Sequence, residues 1–165
     1  MAINLIPDIR IDSVFEITPD VLTSRGISLL LMDLDNTLAS YTGNLPSKEL
    51  FIWKEKLDAE GIKLFIISNT KSERARRFAE SFGVPFFKAA KKPSSRCIIR
   101  AIESCGMTRE RTALVGDQIF TDVLGANLSG ITSIIVKPLS LLNPLIAIRY
   151  IAEAPFRALR KREAR

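Results

Sequence analysis

The feature that most restricts how this chain can fold is an alternation. Short, nearly continuous apolar runs are separated by segments with helical periodicity. The run 27–33, Ile-Ser-Leu-Leu-Leu-Met-Asp, precedes a helical pattern over about 46–60 with Leu50, Trp53 and Leu57 on one side. Gly61 ends it, and the apolar run 62–67 follows. Thr70-Lys-Ser-Glu73 has the spacing of a capping box, and it opens a pattern whose inner face is Ala75, Phe78, Ala79 and Phe82, closed by Gly83. After a brief run 84–87, Pro93 opens a pattern in which Cys97, Ile98, Ala101, Ile102 and Cys105 face inward, up to Gly106. The run 112–115, a helical pattern over about 120–129 stopped by Gly130, and the run 131–136 complete the series. Runs this apolar predict strands buried on both faces. Strands joined by helices of this length predict right-handed crossovers, hence a parallel sheet in an α/β fold with helices on both sides.

The length of 165 residues fits a single domain, 1–165, with a core of about 27–136, a leader 1–26 and a tail of about 139–165. Leader residues 17–20, Ile-Thr-Pro-Asp, have the form of a cap and a Pro opening a short helix. The chain has no His, which excludes Ser-His-Asp and Cys-His mechanisms and His-ligated zinc. Its two cysteines, Cys97 and Cys105, read as small buried apolar residues of a reducing compartment. The start lacks the pattern of a signal peptide, and the most apolar tract, 138–152, is broken by Pro144 and Arg149; the expected location is cytoplasmic. The formal charge is +6, but the basic excess lies almost wholly from Lys137 onward. That asymmetry predicts a local anionic partner, and a near-neutral core argues against nucleic acid. Arg74, Arg76 and Arg77 read as a solvated helix face with no role.

Ligands of parallel α/β sheets bind beyond the carboxyl ends of the strands. The residues expected there are Asp33-Leu-Asp35-Asn-Thr37, Ser68-Asn69, Lys91-Lys92-Pro93 and Gly116-Asp117 with Asp122. Carboxylates crowded in one buried place repel one another unless a cation joins them, and carboxylate and carbonyl oxygens suit Mg²⁺. A hydroxyl and a lysine beside them suit a phosphoryl group, whose transfer needs little beyond positioning and charge neutralisation.

Asp33-x-Asp35-x-Thr37, Ser68, Lys92 and Gly116-Asp117-x-x-x-x-Asp122, in that order, resemble the four motifs of the haloacid dehalogenase (HAD) superfamily of phosphatases over about 27–136. The resemblance implies a three-layer α/β/α Rossmann-like fold with a parallel five-stranded sheet of order 5-4-1-2-3. It also implies roles. Asp33 is the nucleophile that becomes an aspartyl phosphate, and Asp35 is the general acid and base. Lys92 supports Asp33 and the phosphoryl group, while Thr37, Ser68, Asn69 and Lys92 bind substrate. Asp33, Asp35 through its backbone carbonyl, Asp117 and Asp122 serve Mg²⁺.

Neither the segment after the first motif nor that between the second and third is long enough for a cap domain, so the site is expected to be open. An open site admits a bulky substrate or takes its lid from a neighbouring subunit. The tail carries Leu141, Leu142, Leu145, Ile146, Ile148 and Ile151 beside Arg149, Arg157, Arg160, Lys161, Arg162 and Arg165. That composition suits a helix on an anionic membrane, and equally a helix packed on its own domain or a second subunit. The whole chain resembles the YqeG family of type IIIA HAD phosphatases, similar to mitochondrial phosphatidylglycerophosphate phosphatases, which implies a phospholipid headgroup substrate. The alternatives are a soluble phosphatase for a sugar phosphate or nucleotide, and a non-catalytic HAD-fold binding module.

Overall fold

The computed structural model describes residues 3–160 and 162. Lys161 and Arg165 of the tail lie outside the described residues. Among the described residues six strands form one sheet, β1 (Ile9–Arg10), β2 (Leu29–Met32), β3 (Lys63–Ile67), β4 (Phe86–Phe87), β5 (Thr112–Gly116) and β6 (Thr132–Ile135), in the order β1-β6-β5-β2-β3-β4. Every pairing is parallel. The expected five-stranded sheet is therefore corrected to six strands. The five anticipated ones keep their relative order, and β1, from the leader, adds an edge beside β6. A two-residue strand has no periodicity to read. Its position is fixed by pairing, Ile9 opposite Ile134, and by Asp8, whose carboxylate accepts from the Ser133 backbone N–H at 2.8 Å and hydroxyl at 2.9 Å.

β2 is the central strand, and all four of its residues are buried. Because side chains alternate across a strand, Leu30 and Met32 enter one apolar cluster with Leu50, Trp53, Leu57, Phe78 and Phe82. Leu29 and Leu31 enter the opposite one with Phe65, Ile67, Ile98 and Ile102. Two cores on two faces of one sheet make the three layers. Each fully buried side chain of this size contributes about 1.5–3 kcal/mol.

The helices α1 (Pro19–Thr23), α2 (Lys48–Ala59), α3 (Glu73–Phe82), α4 (Ser95–Ser104), α5 (Leu124–Ser129) and α6 (Pro144–Ala158) fill the outer layers. α1 opens on Thr18 followed by Pro19, as its sequence predicts. Three helix starts differ from expectation. Ser72, not Thr70, caps α3, accepting from the Arg74 N–H at 3.1 Å, while Thr70 Oγ1 accepts from the Ser72 N–H. α4 begins after Pro93, which follows Lys92 through a cis peptide bond in a turn closed by Ser94 N–H donating to the Lys91 carbonyl. The segment before α5 is a π-helical turn, Ile119–Val123, in which the N–H groups of Asp122 and Val123 both donate to the Gln118 carbonyl. Such wide turns re-aim one side chain, here Asp122. Cys97 and Cys105 are half-buried rather than buried, and both are free.

Only one helix lies between β2 and β3 and one between β3 and β4, so neither segment carries a cap. The tail folds back on its own domain. α6 packs Phe156 against Phe120 and buries Ile146, Glu153 and Arg157. Its other side leaves Leu145, Ile148 and Ile151 exposed, with Leu142 just before it. No helix among the described residues is long and apolar enough to cross a membrane.

Candidate active site

β2, β3 and β5 all end at the same edge, and the chain there turns polar. Asp33 follows β2, Ser68 follows β3, and Asp117 follows β5. Asp122 is returned to this edge by the π-helical turn. The carboxylates of Asp33, Asp117 and Asp122 are buried, with one oxygen from each within 4.8 Å of the others. Lys92 inserts its buried ammonium among them, 2.6 Å from Asp33 Oδ1 and 2.7 Å from Asp122 Oδ1. Lys91, its neighbour, is exposed.

The electrostatics follow from this crowding. Burial raises the pKa of Asp33 to about 6, with Lys92 opposing the rise and Asp122 adding to it. Burial, with Asp122 and Asp33 nearby, raises Asp117 to about 8. Burial works against the charge on Lys92, but Asp122 and Asp33 outweigh it and hold its pKa above the ordinary lysine value. One buried ammonium does not balance three carboxylates. A hard divalent cation held by Asp33, Asp117 and Asp122 would complete the balance, and this oxygen donor set suits one.

The supporting residues are accounted for individually. Thr37 lies between Asp33 Oδ2 at 3.4 Å and Asp117 Oδ1 at 3.3 Å, so its hydroxyl orients carboxylates rather than facing the cleft. Asn69 commits both ends of its amide to Lys92, accepting from its N–H at 2.7 Å and donating to its carbonyl at 3.1 Å. It places the lysine. Ser68 is fully buried; its hydroxyl accepts from the Thr70 N–H and lies 3.5 Å from Asp35 Oδ2. Asp35 stands apart from the carboxylate cluster, on the wall of an open cleft of about 460 Å³ shared with Asp33, Tyr41, Asn69, Arg74 and Lys92. Asp122 Oδ2 accepts from the Gln118 N–H at 3.1 Å. Gly116 gives it room, since a Cβ at position 116 would fall 2.2 Å from the Asp122 carboxyl carbon.

Several residues at this site were not anticipated. Arg74, read as solvated, is only 12 % exposed in its side chain and forms an ion pair with Asp35. Arg149 of α6 lies 3.9 Å from Asp117 Oδ2. Arg157 is buried, donating to the backbone carbonyl of Asp117, to that of Val136 at 3.0 Å, and to Glu153 Oε2 at 3.1 Å. Asn36, at φ 65°, accepts from the Ser140 N–H at 2.9 Å and donates to its carbonyl at 2.7 Å, tying the loop after β2 to the segment after β6. One signal for α6 lay in the sequence: Arg149, Glu153 and Arg157 recur every four residues on an otherwise apolar helix, a charged stripe on one face.

The chain is similar to known proteins in sequence and in fold. Residues 48–130 match the model of the haloacid dehalogenase-like hydrolases. A curated protein of Bacillus subtilis (strain 168) named "Probable phosphatase YqeG" is 36% identical over 135 residues, covering 82% of this chain and 78% of its own. Among solved structures, the cobalt-bound deoxy-D-mannose-octulosonate 8-phosphate phosphatase of Haemophilus influenzae superposes with TM-score 0.55 at 15% identity, over 81% of this chain and 91% of that one. The 3-deoxy-D-manno-octulosonate 8-phosphate phosphatase of Moraxella catarrhalis, solved with magnesium, phosphate and KDO, gives 0.52 at 15% identity over 85% and 96%. At those identities the structures speak to the fold.

Proposed function

We propose that this chain, a phosphatase belonging to the haloacid dehalogenase-like hydrolases, cleaves phosphomonoesters through a covalent aspartyl phosphate on Asp33. The observation that carries the reading is the buried meeting of Asp33, Asp117 and Asp122 around Lys92 at the floor of an open cleft, with Asp35 on its wall. A carboxylate oxygen of Asp33 attacks phosphorus, and the bond to the alcohol oxygen breaks. Asp35 gives that oxygen its proton, then takes one from the water that attacks the phosphoryl group, releasing phosphate and restoring Asp33. Lys92 and Ser68 hold phosphoryl oxygens; Asn69 fixes Lys92, and Thr37 orients the carboxylates of Asp33 and Asp117. Asp33, Asp117, the Asp35 backbone carbonyl and Asp122 would hold Mg²⁺, which would supply neutralisation of charge on the phosphoryl oxygens.

The substrate we propose is phosphatidylglycerophosphate, met at a cytoplasmic membrane surface. Two features support it. The cleft has no cap over it, which leaves room for a headgroup carried by a bilayer. On the helix that brings Arg149 to Asp117, Leu145, Ile148 and Ile151 are 76 %, 64 % and 70 % exposed, and Leu142, just before that helix, is 94 % exposed. The tail's basic residues are only partly free for lipid, since Arg157 is buried and Arg162 pairs with Asp12 and Glu16. The experiment is phosphate release from phosphatidylglycerophosphate in anionic vesicles, against a panel of soluble sugar phosphates and nucleotides, with and without Mg²⁺. Turnover confined to the soluble panel overturns the lipid assignment. Turnover indifferent to chelation overturns the metal.

A further inference from the structure

Arg74 occupies a place that helix stability does not explain. It sits in the first turn of α3, where the helix dipole disfavours a cation. Its neighbour Arg76 behaves as a surface residue, exposed and paired with Glu73 and Glu80. Arg74 instead turns to the cleft. Its Nη1 donates to the carbonyls of Gly43 at 2.6 Å and Ser40 at 3.3 Å, which pins the guanidinium to the rim loop after β2. Its Nη2 pairs with the Asp35 carboxylate, whose other oxygen is 3.5 Å from Ser68 Oγ. A planar cation is thus fixed beside Asp35 on the wall of the cleft, with one edge taken up by backbone and the other presented to a carboxylate.

We infer that Arg74 is a specificity-determining residue that selects phosphomonoesters whose alcohol carries a second anionic group, a carboxylate or a phosphodiester. The inference rests on the proposed role of Asp35 beside the leaving oxygen. In the free protein Asp35 fills the place on the guanidinium. As Asp35 turns to the ester oxygen, the second anion of the substrate takes the vacated Nη2 edge, while the carbonyls of Ser40 and Gly43 keep the guanidinium still. A guanidinium matches carboxylate and phosphate oxygens in a way a lysine ammonium does not, so the selection depends on arginine itself. An ester of a neutral alcohol offers nothing to this edge and gives up that interaction.

The test uses the full chain with Mg²⁺ and three soluble esters: glycerol 3-phosphate, 3-phosphoglycerate, which replaces a hydroxymethyl by a carboxylate, and deacylated glycerophosphoglycerol phosphate, which carries a phosphodiester. The expected result is kcat/KM at least about 10-fold higher for one or both anionic alcohols, the size of one charge-assisted contact. Whichever is favoured identifies the source of the anion. Arg74→Gln should bring the ratio to about unity, Arg74→Lys should leave it intermediate, and Arg76→Gln should leave it as in the wild type. A wild-type ratio near unity for both anionic esters overturns the inference. So does an equal loss on all three esters in Arg74→Gln. A measurement on the wild-type protein alone guards against a poorly folded variant: glycerate should inhibit at lower concentration than glycerol, and equal inhibition would count against the selection. Asp33→Asn separates the two readings, because turnover surviving that substitution defeats the aspartyl-phosphate mechanism, whatever the ratio.

Discussion

Arg157 donates to the backbone carbonyl of Asp117, forty residues earlier in the chain, so the last helix directly holds the loop that carries a candidate metal ligand. The same guanidinium meets Glu153, whose Oε1 accepts from the Phe120 N–H at 3.3 Å. Removing one partner of a buried pair leaves an uncompensated charge and costs about 3–5 kcal/mol, whereas replacing both by apolar groups costs much less. Arg157→Met is therefore expected to lower the unfolding free energy by about that amount, and Glu153→Leu combined with Arg157→Met to recover much of it. Urea unfolding of both variants checks this. A double variant as unstable as the single one would refute the account.

Asp117 is the carboxylate least well compensated. Its nearest cation, Arg149, is 3.9 Å away, and burial with two neighbouring carboxylates holds its pKa near 8. Asp117→Asn is neutral in both states, so it spares the folded protein the cost of protonating this carboxyl below about pH 8 or of charging it above, while keeping the acceptor that Thr37 reaches. The metal-free variant should melt at a higher temperature than the metal-free wild type. Its phosphatase activity should fall by at least about 100-fold, and added Mg²⁺ should no longer shift its melting. A variant that melts lower without metal would show that Asp117 is a net stabiliser and that the repulsion is already balanced.

The pH dependence of stability has a definite sign. Asp33 and Asp117 have folded-state pKa values of about 6 and about 8, above the 3.8 of an unperturbed aspartate. The folded state therefore holds protons that the unfolded state has released. The stabilisation from these groups is complete below the unfolded value and is lost as pH rises through 6 and then 8. Melting temperature in chelator should decline from about pH 5 to about pH 8. The rise produced by Mg²⁺ should grow over the same range, since the cation binds the deprotonated carboxylates. Calorimetry at several pH values, with and without Mg²⁺, tests both slopes.

Gly116 is required by packing, not by backbone conformation. A Cβ there would meet the Asp122 Cβ at 2.5 Å, and Asp122 is fixed by Lys92 and by the Gln118 N–H. Gly116→Ala should cost about 1–3 kcal/mol through overpacking and reduce kcat more than it raises KM, because it displaces a group that supports the reacting centre. A variant with wild-type kcat would mean that Asp122 can move without consequence.

The sequence by itself determined the parallel α/β order and the Asp33, Ser68, Lys92 and Asp117 edge. Both are local matters: an apolar run sets a strand, and a parallel sheet carries every residue that follows a strand to the same side. Only the tertiary structure decided the rest. β1 exists because Ile9 and Asp8 find β6, and nothing in two residues announces a strand. Ser72 displaced Thr70 as the cap because Thr70 is drawn into the chain reversal after Ser68. Arg74, Arg149 and Arg157 carry ordinary surface chemistry in a linear reading. Their roles arise from distance in space: a rim loop that folds over α3, and a tail helix laid across the turn that bears Asp122. A charged side chain's partner is set by packing between elements, which periodicity along one element does not encode.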